Sequence, residues 1–202
     1  MFRKLYFSPL GYLISGFLRF FAGFHRPFMA YGYFNRVIGR FQKYTRISSS
    51  AKLIHKKSLD LGNHVWIGHY CLVDGTGGLT IGEGTQISSH TVIYSHSSQD
   101  AIRILGKDFI KIEAVKRPGY KLKPVKIGAY TFVGTSCVIL PGASIGKGCL
   151  IGAGSLVRGN IPDYAIASGN PLKIIGDTRE RDKERFGDLI EPGRYYDPES
   201  IS

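Results

Sequence analysis

The chain has 202 residues, with 27 Lys and Arg against 15 Asp and Glu for a net charge of +12. Its length supports a single domain with a sizeable core. Residues 1–59 hold eleven Lys or Arg and no acid, while residues 60–202 hold sixteen against fifteen, so the excess belongs to the N-terminal segment and a uniformly basic body is excluded.

That segment, residues 1–46, is aromatic as well as basic. Leu10, Leu13, Ile14, Phe17, Phe21, Phe24 and Phe28 recur at helical spacing, with Ser15, Gly16, Arg19 and Gly23 on the other side. Two short helices are expected. The stretch from Leu5 to Phe24 is nearly long enough to span a bilayer but carries Pro9, three glycines and Arg19, so a helix lying in a membrane interface fits better than a span. The plainer expectation is a helical cap over the open end of the solenoid read from residue 47 onward. A basic aromatic segment also suits nucleic acid, but no recognition motif accompanies it and no nucleic-acid partner is expected. The stretch lacks a small-residue cleavage site, so a cleavable signal peptide is not expected.

From Leu61 the chain repeats every six residues. Aliphatics fall at Leu61, Ile67, Val73, Ile81, Ile87 and Ile93, then at Ile127, Val133, Ile139, Ile145, Ile151 and Val157. A hexad is too short for a hairpin and reads as one flat strand plus a corner, so three hexads make a triangular coil and the coils stack as parallel strands. Glycine follows the aliphatic at 62, 68, 82, 128, 134, 146 and 152, which suits a tight corner. Four residues after the aliphatic stands a small inward side chain, as at Cys71, Thr85, Thr91, Thr131, Cys137, Ala143, Cys149 and Ser155. All three cysteines occupy this position, which accounts for them by packing, without a disulfide or a metal set, in a reducing compartment. Val73 to Ile81 is two residues long for the repeat, so Gly77 and Gly78 should bulge from a corner. Between Gln99 and Pro124 the repeat stops, and it resumes in register at Ile127, the mark of a loop, about residues 97–124, ejected from a continuous solenoid. Beyond Val157 a partial coil is expected, then a short solvated helix over 178–186 and a loosely held tail from Glu191. The chain thus divides into the segment 1–46, a solenoid over 47–176 and a helix with tail over 177–202.

The run from Ile127 to Val157, followed by Ile161-Pro162 and Ser168-Gly169-Asn170-Pro171, resembles the C-terminal half of the hexapeptide-repeat acyltransferases, closest to the maltose, galactoside and surface-polysaccharide sugar O-acetyltransferases. The resemblance covers about residues 47–176. It implies a left-handed parallel β-helix, a homotrimer, and acetyl-CoA as co-substrate in a groove between subunits, with no permanently bound cofactor. The implied reaction is transfer of an acetyl group to a sugar hydroxyl in cell-surface polysaccharide biosynthesis. The acceptor would be a sugar or glycan, free or lipid-linked, and the protein would be cytoplasmic, with peripheral contact to anionic membrane at the inner face. N-acetylation of an amino sugar is the alternative within the family.

Such a transfer needs a base for the acceptor proton, and histidine titrates near neutrality. The resemblance places that role on His96, at the mouth of the ejected loop, and leaves His25, His55, His64 and His90 to the surface. A carboxylate partner would fix its tautomer. Asp74, one coil beneath, is the candidate and Asp100 the rival; Asp74 equally suits the glycine corner at 75–78. Carried over by position, Gly134, Thr135 and Ala153 would line the acetyl-CoA groove, with a backbone N–H near Thr135 facing the thioester oxygen, and Arg158 and Lys173 would meet the nucleotide. Gly159 and Gly176 stand where relatives often have Lys and Arg, which weakens the expected phosphate contacts. The basic loop 97–124 is expected to wall an acidic or phosphate-bearing acceptor.

Three other readings of the repeat compete with this one. A serine acetyltransferase would show His after Asp74, where Gly75 stands. A γ-carbonic-anhydrase-like metal protein would pair His69 with a histidine at the position of Asp74, so no metal site is expected. A non-catalytic β-helix scaffold is not separable by pattern, only by incubation with acetyl-CoA.

Overall fold

The chain is described in a computed structural model over residues 8–23, 26–191 and 194–200. It opens with a helix, α1 (Pro9–Ala22), and then a hairpin of two strands, β1 (Met29–Asn35) and β2 (Arg40–Ser48), paired antiparallel. The start of the expected Leu5–Phe24 stretch, together with Phe24 and His25, lies outside the described residues. In place of a second helix, aromatic and β-branched residues around a Gly39 turn (φ 63°) form strands. The hairpin, rather than a helix, covers the first coil. Arg46 and Ile47 of β2 pair in parallel with Trp66 and Ile67, so the solenoid's first strand begins before residue 47. Buried Asn35 fastens the hairpin: its Nδ2 donates to Asp60 Oδ1 (2.7 Å) and to the Leu61 carbonyl (2.9 Å).

The body is a parallel β-helix with three sheets. One carries Lys52–Ile54, Leu72–Asp74, Val92–Ile93, Val138–Ile139 and Leu156–Val157; a second runs from Leu59–Leu61 to Asn160–Ile161; the third continues from β2 through Trp66–Ile67 to Lys173–Asp177. The repeat aliphatics pair coil to coil, as in Val73↔Ile93↔Ile139↔Val157, and all twelve are buried in one core. Ile127 pairs with Ile81 across the ejected loop, so the register is continuous.

The corner glycines serve a different purpose from the one expected. The left-handed backbone falls not on the glycine after the aliphatic but two residues later, at His64, Tyr70, His90, Tyr130 and Ser136. The glycine itself is needed for coil-to-coil approach: a Cβ on Gly82 would lie 2.4 Å from the Ala129 nitrogen, and one on Gly128 2.4 Å from that of Lys147. The small inward residue does more than fit. Thr85 Oγ1 donates to the Gly128 carbonyl and Thr131 Oγ1 to that of Gly146, both at 2.7 Å, satisfying corner carbonyls inside the prism. Cys71, Cys137 and Cys149 are buried free thiols in the same row.

The ejected segment is ordered rather than open loop. It holds α2 (Gln99–Leu105) and short 3-10 turns, and its returning strand Lys121–Leu122 pairs antiparallel with His96–Ser97. After Val157 the expected partial coil is present, with Asn160–Ile161 and Ala165–Ser168 adding to two sheets before Lys173–Asp177 closes the edge antiparallel. The expected helix is α3 (Thr178–Phe186), capped by Asp177, which accepts from the Arg179 N–H at 2.8 Å. The described part of the tail is held, not loose. The Tyr196 ring lies 5.0 Å from Tyr130, and Asp197 accepts from Lys147 Nζ at 2.7 Å and from the Tyr164 hydroxyl.

Candidate active site

Asp74 ends its strand where the chain turns into the long Gly75–Gly78 corner, and the pairing Val73↔Ile93 sets that end beside Tyr94, Ser95 and His96. The Asp74 carboxylate is fully buried. Its Oδ1 accepts from the Thr76 N–H (3.1 Å) and hydroxyl; its Oδ2 accepts from the Ser95 N–H (3.0 Å) and lies 2.7 Å from His96 Nδ1. Burial pushes this carboxyl up, but hydrogen bonds from Thr76, His96 and the Ser95 backbone outweigh it and hold the group at about 2. It is therefore ionised at neutral pH and favours a proton on His96 Nδ1, which leaves Nε2 as an acceptor.

The His96 side chain is 28% exposed and lines a cleft of about 460 Å³. Tyr94 meets the imidazole edge-on and Tyr120, from the ejected segment, packs at 30° to it, each with centroids 5.8 Å away. Lys121, Lys123, Leu140, Pro141 and Arg158 complete much of the wall. The neck of the ejected segment is tied beneath the histidine: Lys123 N–H donates to the Ser95 carbonyl at 2.9 Å and Gly77 N–H to Ser95 Oγ at 2.8 Å. The two additional residues of the Val73–Ile81 interval fall in the expected Gly75–Gly78 corner, which Gly78 N–H closes by donating to the Gly75 carbonyl at 2.9 Å.

Asp100, the other candidate partner, does not reach His96. It binds Arg103 and Lys121, both at 2.5 Å, and these contacts hold its carboxyl low. Much of the loop's charge is likewise spent internally, Lys111 on Asp108, Lys116 on Glu113 and Arg117 over the Phe109 ring. Among the described residues Lys123 and Arg158 have no ion-pair partner, so they are the cations left for a ligand in the cleft. His69 bonds to buried Ser48 (2.6 Å), on a different corner from Asp74.

The remaining candidates stand elsewhere. Gly134, Thr135 and Ala153 stack on the corner that follows Phe132–Val133 and Leu150–Ile151, where Gly154 N–H donates to the Thr135 carbonyl at 2.8 Å. His96 and Arg158 occupy the next corner, after Val92–Ile93 and Leu156–Val157. From Thr135 to Leu140, which lines the cleft, the chain crosses one side of the prism, up to about 17 Å in extended backbone. Lys173 is exposed on the closing edge strand. One chain therefore unites His96, Asp74 and Arg158 but not the second group. Thr76, Ser95, Tyr120 and Lys123 were not singled out by sequence reasoning as individual site residues. None of these was legible: Ser95 stands two residues after Ile93, at a corner position of the hexad rather than its small inward one, and nothing local says where the excursion that carries Tyr120 and Lys123 returns.

Residues 124–159 match the family described as bacterial transferase hexapeptide (six repeats). A probable acetyltransferase of Mycobacterium tuberculosis is 31% identical over 123 residues, 60% of this chain and 38% of that protein. A maltose O-acetyltransferase from Clostridium difficile aligns over 64% of both chains at 25% identity with a TM-score of 0.50. AntD, an N-acyltransferase from Bacillus cereus solved with dTDP and 3-hydroxybutyryl-CoA, aligns over 73% of this chain and 87% of its own at 21% identity with a TM-score of 0.56, a likeness of fold. The chain spans about a third of the length of the curated relatives it matches.

Proposed function

We propose that this chain, which carries the bacterial transferase hexapeptide over residues 124–159, is an acetyl-CoA-dependent acetyltransferase acting on a sugar hydroxyl. The observation that carries the reading is the buried, ionised Asp74 bonded to His96 Nδ1, with the imidazole on the wall of the cleft. His96 Nε2 takes the hydroxyl proton as the sugar oxygen attacks the thioester carbonyl. Asp74 stabilises the imidazolium so formed. Collapse of the tetrahedral intermediate breaks the C–S bond, the acetyl ester is formed, and the proton passes from His96 to the CoA thiolate. Atoms balance without a metal or an acyl-enzyme. Lys123 and Arg158, the cleft cations without an ion-pair partner among the described residues, suit a phosphate or carboxylate on a ligand there. The repeat and the parallel coils support a left-handed β-helix as the scaffold.

The donor groove is proposed to come from a second subunit. Thr135 and Ala153 lie one corner away from His96, so a copy that brings its Gly134–Ala153 corner to this cleft completes the site, and repetition of that contact around a prism closes as a trimer. The decisive variants are His96→Ala and Ala153→Trp. His96→Ala should lower the transfer rate by about two orders of magnitude or more with acetyl-CoA affinity unchanged. Co-expression of the two inactive variants should restore roughly a quarter of the sites, because each site draws one part from each neighbour; no recovery would place the whole site in one chain. Hydroxylamine, which cleaves acetyl esters and leaves amides, distinguishes a hydroxyl acceptor from an amine.

A further inference from the structure

The body buries its aliphatics, but the N-terminal elements display theirs. Along α1 the side chains of Leu10, Tyr12, Leu13, Ile14, Phe17 and Leu18 are between 44% and 72% exposed. In water such a helix gains little from burial, and one of fourteen residues is only marginally stable alone. At about 21 Å it is also too short for the roughly 30 Å of a bilayer's hydrocarbon core, and no described helix is long and apolar enough to cross a membrane. The β1–β2 hairpin repeats the pattern at its tip, where Val37 and Ile38, half exposed, are flanked by Arg36 and Arg40. Along both elements the chain carries charge of one sign, since residues 1–59 hold eleven Lys and Arg and no Asp or Glu, and the acid that meets the hairpin, Asp60, is bonded to Asn35.

Exposed apolar side chains flanked by uncompensated cations match one chemistry, a bilayer surface of anionic lipid: the cations meet the headgroups and the aromatic and aliphatic groups enter the acyl boundary. We propose that α1 and the β1–β2 tip form a docking surface for an anionic lipid bilayer, with α1 in the plane of the interface. A second copy of the chain would cover apolar area but would bring the same positive charge against itself.

The test is co-sedimentation of the full chain with phosphatidylcholine vesicles, with and without about one third phosphatidylglycerol, at about 50 mM and about 500 mM salt. The chain is expected to pellet with the anionic vesicles at low salt and to be released at high salt. The triple variant Arg26→Gln, Arg36→Gln, Arg40→Gln should weaken partitioning by about fivefold for each arginine that reaches the surface. The pair Leu13→Asp, Phe17→Asp should abolish it while the melting temperature of the β-helix stays put. If the full chain remains in the supernatant with anionic vesicles at low salt, or if the triple variant binds as well as the parent, the proposal fails. It also fails if the Leu13, Phe17 pair instead reduces the particle mass in vesicle-free solution, which would assign the face to a second copy.

Discussion

The coils and the N-terminal helix draw on the same kinds of residue and use them in opposite ways. In the coils, Ile67, Ile87, Val133 and Ile151 stand directly over one another and are buried, because a repeat of six returns every third aliphatic to the same side of the prism. In α1, Leu13 and Phe17 share a helical face but remain exposed. Apolar character is therefore not what buries a side chain here; a partner at a fixed distance along the chain is. The body supplies its own partners, while among the described residues α1 leaves most of its large apolar side chains exposed.

Substitutions put this contrast to the test. The largest effect is expected inside the body, where packing and chemistry meet: Asp74→Asn should lower the transfer rate by about two to four orders of magnitude, because the amide no longer enforces the Nδ1 proton on His96, and vesicle binding should be unaffected. Gly128→Ala should cost about 3 kcal/mol, measured by denaturant unfolding, since its Cβ would meet backbone at 2.4 Å. Gly16→Ala in α1, with nothing within 4 Å, should leave body unfolding unchanged. Ile139→Ala should cost about 2–4 kcal/mol, and Leu13→Ala within about 0.5 kcal/mol of nothing. Equal costs at Ile139 and Leu13 would end the contrast.

The acid limit of stability provides a finer test. The Asp74 carboxyl is held at about 2, below its ordinary 3.8, so it favours the folded state above the unfolded value, and that contribution of about 2 kcal/mol is lost as pH falls from about 4 to about 2. In Asp74→Asn the slope of unfolding free energy with pH should flatten across that window. A slope identical to the parent's would mean that the Thr76, Ser95 and His96 bonds do not hold the carboxylate.

The repeat, its register through the ejected segment, the inward cysteines and the helix over 178–186 were all legible in the sequence. In a solenoid the tertiary neighbour of a residue is the same position one coil on, so a one-dimensional period already states the packing. Less legible was why the glycines are there: the sequence shows their spacing, while only the stacked coils show that a Cβ would strike the next backbone. The N-terminal hairpin was hidden because aromatic spacing alone fits a helix face as readily as a strand.

For the site, the period along the chain was enough to set His96 and Asp74 one coil apart, because coil spacing is distance. The choice between Asp74 and Asp100 needed the folded molecule. Asp100 is nearer along the chain but is turned into α2 and bound by Arg103 and Lys121, whereas Asp74 is reached through a strand pairing. The return of Tyr120 and Lys123 to the histidine needed it too, since an excursion of about 28 residues carries no period to say where it lands. The separation of the Thr135 corner from the His96 corner belongs to the same class. A period of six names the row a residue belongs to, and only closure of the chain into a three-sided prism fixes which edge that row occupies.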